Sequence, residues 1–186
     1  MNIEIEKKYR LTPDRRSRVE DALKRAGADF VRDDFEENTI YGGPILDRSA
    51  SIVRIRRTQD RSILTFKRRI ENDSDVKHQI EYESEISDAD SIAKILLELK
   101  LEPKLVYEKR RSTWKMGPVE VVIDELPFGL FLEIEGSVIE IKEAEKLLEI
   151  EDLETEHETY PRITARFGKK VGDRVEARFP VTSSPQ

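Results

Sequence analysis

Asn2-Ile3-Glu4-Ile5-Glu6-Lys7-Lys8-Tyr9-Arg10, the first strand-like stretch of the chain, alternates between apolar and charged residues. Successive side chains of a strand point to opposite faces, so this pattern separates an apolar face from a charged face. Carboxylates bind hard divalent cations and lysine binds phosphate, so the charged face suits a metal–phosphate site. The solvated outer face of a half-buried strand is the alternative. The apolar face carries Ile3, Ile5, Tyr9 and Leu11, and the charged face Glu4, Glu6, Lys8 and Arg10.

The same spacing of two recurs in later predicted strands, each time backed by apolar residues of opposite parity. Two architectures satisfy this pattern: an open antiparallel sheet with its charged face in water, or a barrel with a charged lumen and helices outside. Most of the pairs carry a single sign of charge, which suits a polar-lined binding tunnel, but solvated sheets also pair charges across strands, so the pattern alone leaves both architectures open. The pairs are Arg54 and Arg56, Thr65 and Lys67, Glu81 and Glu83, Lys109 and Arg111, and Glu133 and Glu135.

The remaining patterns predict an α+β chain that forms one domain over residues 1–179, followed by a disordered tail at 180–186. Helices are predicted from Pro13 to before Gly27, after the cap Ser87-Asp88, around Ile141 to Leu148, and at 160–167. An Asp-rich hairpin loop is predicted at 71–77. Strands are predicted at 30–35, 38–41, 52–57, 62–69, 79–86, 105–114, 119–124 and 130–135.

Composition excludes several functional classes. The chain has 33 Lys and Arg against 39 Asp and Glu, and the net charge of −6 argues against nucleic-acid binding. It contains no Cys, which excludes thiolate catalysis and Cys-based zinc sites. No signal peptide or membrane-spanning apolar run is visible, so we expect a cytoplasmic protein that does not bind membranes.

Taken in order, these motifs resemble those of the CYTH superfamily, also called the triphosphate tunnel metalloenzymes. Glu4-x-Glu6-x-Lys8 matches the ExExK signature of that family, and the resemblance extends over nearly the whole chain. The loosest match is Thr159-Tyr160-Pro161-Arg162-Ile163, which stands where the family has S-Y-x-x-L. The other motifs are Arg54-x-Arg56, Thr65-x-Lys67, Glu81-x-Glu83, Lys109-x-Arg111, and Asp124 followed by Phe131-Leu132-Glu133-Ile134-Glu135.

The resemblance implies a mostly eight-stranded, antiparallel, closed barrel with helices packed on its outside. Its lumen would hold a triphosphate and one or two Mg²⁺ or Mn²⁺ ions. Carried over residue by residue, the phosphate-binding residues are Lys8, Arg54, Arg56, Lys67, Lys109 and Arg111. The metal-binding residues are Glu4, Glu6, Asp124, Glu133 and Glu135, with Glu81 and Glu83 in support. Glu4, Glu6, Lys8 and Lys67 are the residues for which the resemblance implies a catalytic role.

A metal-dependent triphosphatase acting on inorganic triphosphate or a small organic triphosphate is the leading functional prediction. No residue stands out as a general base, so we expect a water molecule to be the nucleophile. An adenylyl cyclase that makes cyclic AMP and pyrophosphate from ATP is the second hypothesis, and a non-catalytic polyphosphate- or nucleotide-binding module is the third. The expected partner is a triphosphate-containing small molecule, and a homodimer is compatible with the sequence.

Overall fold

The computed structural model describes residues 3–47, 49, 51–70 and 77–180, without the side chains of residues 3, 4, 77 and 78. The predicted loop at 71–77 lies outside these residues except for Lys77, which belongs to a strand. The predicted tail at 180–186 lies outside them except for Pro180.

Eight antiparallel strands form a ring. They pair in the order β2-β3-β4-β5-β1-β8-β7-β6, and the ring closes because β6 also pairs with β2. This arrangement confirms the predicted α+β fold with an eight-stranded antiparallel barrel. The eight strands are β1 (Ile3–Leu11), β2 (Asp29–Gly42), β3 (Ser51–Arg57), β4 (Ser62–Ile70), β5 (Lys77–Ile86), β6 (Glu102–Met116), β7 (Val119–Leu126) and β8 (Gly129–Glu135).

The structure corrects the prediction of two short strands at 30–35 and 38–41. Both belong to β2, which has 14 residues and pairs with β6 along most of its length. Register shifts near Phe30 and Ile40 absorb the irregularities in the alternation without ending the strand. Two polar neighbours, Glu36 and Glu37, made the sequence look interrupted, but pairing on both edges of the strand keeps it extended.

The described part of the chain contains five helices: α1 (Pro13–Arg25), α2 (Pro44–Asp47), α3 (Ala89–Glu98), α4 (Val138–Leu147) and α5 (Tyr160–Phe167). Asp88 caps α3, as the sequence predicts, because its side chain accepts hydrogen bonds from the backbone of Asp90 and Ser91. Thr12 caps α1 by accepting one hydrogen bond from the backbone of Arg15. The short α2 was not predicted. Among the described helices, none is long and apolar enough to cross a membrane.

The helices cover the outside of the ring. Leu23 of α1 and Ile141 of α4 pack against the outward-facing Val121, Ile123 and Leu132 of β7 and β8. Leu96 of α3 packs in the same way beside β3. Apolar residues thus occupy both sides of the helix–barrel contact, which leaves the opposite strand face for the charged side chains.

A hairpin of two further strands, β9 (Lys169–Val171) and β10 (Arg174–Ala177), lies outside the ring. Neither strand was predicted, because β10 depends on parallel pairing with Leu105–Tyr107 of β6, a distant part of the chain. Lys169 and Lys170 on β9 are exposed.

Candidate functional site

The inward faces of the ring surround a cavity of about 1220 Å³. Alternation places every second residue of each strand on this face, so the predicted pairs meet there although they are far apart in sequence. Glu4 pairs through its backbone with Gln79, which lines the cavity, but the Glu4 side chain lies outside the described part of the structure. The predicted residues that line the cavity are Glu6, Lys8, Arg54, Arg56, Lys67, Glu81, Glu83, Lys109, Arg111, Glu133 and Glu135.

One side of the cavity, which we call the basic wall, consists of Arg54, Arg56, Lys67, Lys109 and Arg111 on β3, β4 and β6. Their side chains are largely buried, with exposed fractions between 2% for Lys109 and 16% for Lys67 and Arg111. Burial, followed by repulsion from Arg111, lowers the pKa of Lys109 below its ordinary value. Several cations held this close together in a poorly solvated space create a strong attraction for an anion.

The opposite side, which we call the acidic wall, consists of Glu6 on β1, Glu133 and Glu135 on β8, and Glu120 on β7. Glu135 stands directly opposite Glu6 on one side and Glu120 on the other in the strand register. Like charges at directly opposed positions of a sheet are destabilising. A bound cation would relieve that repulsion, and oxygen ligands are those preferred by hard divalent metals.

Lys8 is a cation within the acidic wall. It is paired in register with Glu133, and its Nζ lies 3.4 Å from a carboxylate oxygen of that residue. Nζ also donates a hydrogen bond of 3.0 Å to the backbone carbonyl of Glu158 and lies 3.9 Å from the ring centre of Tyr160. These contacts fix the ammonium at the cavity surface, although its side chain is only 2% exposed.

Asp124 lies behind the cavity surface and is completely buried. Its carboxylate accepts two hydrogen bonds from Arg111, at 2.8 and 2.6 Å, and one from the Tyr160 hydroxyl at 2.8 Å. Lys109 approaches the same group at 3.4 Å. Asp124 therefore neutralises and orients two cations of the basic wall from behind.

The two predicted supporting glutamates each contact cations of the basic wall. Glu83 accepts hydrogen bonds from Arg54 at 3.2 Å, Arg56 at 2.9 Å and the Thr65 hydroxyl at 2.7 Å. Burial alone would raise the pKa of Glu83, but Arg56 and Thr65 outweigh it and lower the pKa to about 2. Glu81 lies 2.7 Å from Lys67.

Sequence reasoning missed Glu36 on β2, which is 1% exposed. Its carboxylate lies 3.3 Å from Lys109 and 3.6 Å from Arg56. The signal was present, since Asp34, Glu36 and Asn38 repeat with the spacing of two seen in the other strands. It was overlooked because the predicted break in the strand fell at this place.

Tyr160 is the second missed residue. The loosely matching C-terminal motif places it at the start of α5, where its ring contacts Tyr107 and Phe131 in a buried aromatic cluster at the cavity. Burial, with help from Asp124 and Glu133, raises the pKa of its hydroxyl well above the ordinary value, so the hydroxyl stays protonated and donates to Asp124.

The described side chains contain no group of three Asp, Glu or His arranged to hold a metal ion. The Glu4 side chain lies outside these described side chains. Glu6, Glu133 and Glu135 remain the described carboxylates whose chemistry and place in the cavity suit a divalent cation.

Comparison with known proteins agrees with this geometry. The family model described as the CYTH domain matches residues 2–164. A protein of Methanocaldococcus jannaschii, provisionally named an adenylate cyclase, is 30% identical over 153 residues, which is 79% of this chain and 84% of that protein.

Solved structures share the fold. The PH1819 protein of Pyrococcus horikoshii has a TM-score of 0.70 and 25% identity, over 88% of this chain and 98% of that chain. A Hippeastrum protein, provisionally named an adenylyl cyclase and described as having a dominant triphosphatase activity, has a TM-score of 0.63 and 18% identity. That match covers 92% of this chain and 99% of the Hippeastrum chain.

Proposed function

Since the chain belongs to the CYTH domain family, we propose that it is a divalent-metal-dependent triphosphatase that hydrolyses inorganic triphosphate or a small organic triphosphate in its cavity. One observation carries the proposal: all six of the basic side chains that the motifs single out, from four strands, line one cavity whose other side is acidic. These are Lys8, Arg54, Arg56, Lys67, Lys109 and Arg111.

A triphosphate fits this charge distribution better than a smaller anion does. It carries several negative charges along an extended chain, and the cations of the basic wall extend over β3, β4 and β6. Arginine forks bind phosphate oxygens through paired hydrogen bonds, and lysine acts as a point charge. A monophosphate would reach fewer of these groups, so most of the wall would remain unused.

The acidic wall is the proposed metal site, with Glu6, Glu133 and Glu135 as ligands together with Glu4. A bound Mg²⁺ or Mn²⁺ would neutralise charge that develops on the phosphate oxygens during transfer. We assign Asp124 a positioning role rather than direct ligation, because it is completely buried behind the cavity surface and Arg111, Lys109 and Tyr160 surround its carboxylate, whereas Glu133 lines the cavity although it also contacts Arg111.

Catalysis would come mainly from positioning and charge stabilisation, as is usual in phosphoryl transfer. Lys8 and Lys67 lie on strands at either side of β5 and would hold the phosphate chain from two directions. The attacking group would be a water oriented by a carboxylate of the acidic wall. Its oxygen forms the new bond to phosphorus while the anhydride bond to the leaving phosphate breaks.

Adenylyl cyclase activity is the second candidate. Two observations favour it: the cavity of about 1220 Å³ has room for more than a triphosphate, and the relative from M. jannaschii is provisionally named an adenylate cyclase. Cyclisation would require the ribose 3′-oxygen to face the α-phosphate, so a nucleoside would have to be held beside the basic wall.

Incubation with inorganic triphosphate or ATP, in the presence of Mg²⁺ or Mn²⁺, separates the candidates when the products are resolved by chromatography. Orthophosphate from triphosphate, with little from ATP, would support the triphosphatase. Cyclic AMP with pyrophosphate would establish the cyclase instead. Equal rates with and without added metal, after treatment with a chelator, would contradict the metal dependence.

A further inference from the structure

Glu36 lies behind the basic wall, at a junction of three strands. It is paired in register with Lys109 of β6, and its neighbour Asn38, two positions along β2, is paired with Arg56 of β3. Its side chain is 1% exposed and does not line the cavity, but it contacts Lys109 and Arg56, which do. Glu36 is therefore placed to act on the phosphate-binding residues without touching the phosphate.

The contacts of Glu36 connect cations that belong to different strands. One carboxylate oxygen, Oε2, lies 3.3 Å from Lys109 Nζ and accepts a hydrogen bond of 3.1 Å from Asn38. The other, Oε1, lies 3.6 Å from Arg56 Nη1 and accepts no hydrogen bond from the residues that the structure describes. The carboxylate thus pairs with β6 through one oxygen and with β3 through the other.

The charge on Glu36 is maintained by these neighbours. Burial alone would raise the pKa of the carboxyl group, but Lys109, Arg111 and Arg56 outweigh it and hold the pKa well below its ordinary value. A buried anion of this kind is stable only while its cationic partners stay close. The reverse also holds, since two adjacent cations repel each other less when an anion lies between them.

Other carboxylates hold the same cations from different directions. Asp124 contacts Lys109 from β7, and Glu83 contacts Arg56 from β5. Lys109 therefore lies between Glu36 and Asp124, and Arg56 lies between Glu36 and Glu83. Without Glu36, Lys109 would keep its contact with Asp124 and Arg56 its contact with Glu83, but the two cations would share no carboxylate.

We propose that Glu36 is a positioning residue that fixes the separation of Arg56 and Lys109, so that the two cations bind one extended phosphate chain together. This inference rests on the proposed triphosphate-binding function. It assigns to Glu36 the selectivity for a long phosphate chain over a single phosphate, because only a long chain uses both cations at once.

The test compares Glu36→Gln with wild-type protein in calorimetric titrations with inorganic triphosphate and with orthophosphate, without metal. We expect triphosphate affinity to fall about tenfold, which is the lower end of the loss seen when the hydrogen-bonded partner behind a metal-ligating residue is removed. Orthophosphate affinity should change by less than about twofold, because a single phosphate needs only one of the two cations. In turnover assays, KM for triphosphate should rise more than kcat falls.

Glu37→Gln is the matched control. Glu37 is the next residue of β2, faces the outside and contacts Arg178 at 2.6 Å. The same substitution there should leave both affinities unchanged. If Glu36→Gln does not fold, Glu36→Asp keeps the charge but shortens the side chain, and it should weaken triphosphate binding selectively as well.

Equal losses for triphosphate and orthophosphate, or no loss for either, would overturn the positioning role. Wild-type protein that binds triphosphate but does not hydrolyse it would overturn the proposed function and leave the inference supported, provided the Glu36→Gln loss is selective. Wild-type protein that binds no triphosphate would overturn both.

Discussion

The basic and acidic walls face each other across one cavity, yet they are stabilised in different ways. Cations of the basic wall have carboxylate partners within about 3.6 Å, several of which come from buried positions behind the surface. In the acidic wall, Glu6, Glu135 and Glu120 stand beside one another in register. Carboxylates therefore surround the cations of the basic wall and hold them in place, whereas the register of the acidic wall sets like charges beside one another, and oxygen ligands of that kind suit a divalent cation.

Asp124→Asn tests the preorganisation of the basic wall and should have the largest effect. The substitution removes the buried charge that Arg111 and Lys109 share, so two cations lose their common counter-ion. The loss of unfolding free energy should be about 3–5 kcal/mol, as for other broken buried ion pairs. Urea denaturation measures it.

The matched control is Glu125→Gln, at the next position on β7, where the side chain is partly exposed and pairs with Arg110. Glu125→Gln should lower the free energy of unfolding by about 1 kcal/mol at most. A similar small loss for Asp124→Asn would contradict the idea that the basic wall depends on buried carboxylates.

Glu133→Ala tests the acidic wall. We expect metal-dependent turnover to fall by about 10²–10³-fold or more, because a charge-stabilising group is lost from the reaction site. The fold should persist, as judged by circular dichroism. The assay measures the rate at saturating metal and the metal concentration that gives half-maximal activity. A variant with normal values for both would contradict the metal-site assignment.

Arg56→Ala tests phosphate binding by the basic wall. Triphosphate binding should weaken by about 1.5–3 kcal/mol, the range for hydrogen bonds to charged groups, and monophosphate binding should weaken less. Arg57→Ala is the control, because Arg57 is on the outer face of β3 and contacts Asp90. Equal losses for the two ligands would argue against binding of an extended phosphate chain.

Acid titration gives the smallest expected effect. The pKa of Glu83 is lowered from 4.5 to about 2 in the folded state, so its contribution to stability is fully present above about pH 4.5. It is lost as the pH falls through 2. Glu83→Gln should therefore flatten the decline in stability between these pH values relative to wild type, in denaturation curves recorded at several pH values. Parallel declines would contradict the assigned charge state.

Much of the site could be predicted because alternation is a local property. The pairs Arg54 and Arg56, and Glu133 and Glu135, are two residues apart on strands, and that spacing places both members on one face. A ring of strands whose charged faces all point inward agrees with this alternation, but so does an open sheet with its charged face in water. It was the resemblance, however, that favoured the barrel over the open sheet.

Glu36 and Tyr160 show where this reasoning stopped. Glu36 lies on a strand that looked broken in sequence, and only pairing with both β3 and β6 keeps that strand continuous. Tyr160 reaches the cavity because α5 packs against Phe131 and Tyr107, and that packing depends on contacts between distant segments of the chain. Local patterns carry no information about such contacts.

The sequence by itself determined which residues are charged, which face of each strand they occupy, and where helices α1, α3, α4 and α5 form. Each of these depends on neighbours within a few positions, through side-chain alternation and helix capping. The tertiary structure alone decided which carboxylate pairs with which cation, because strands distant in sequence must first close into a ring. Asp124 therefore lies behind Arg111 as its counter-ion, whereas Glu135 lies beside Glu6 at the cavity surface.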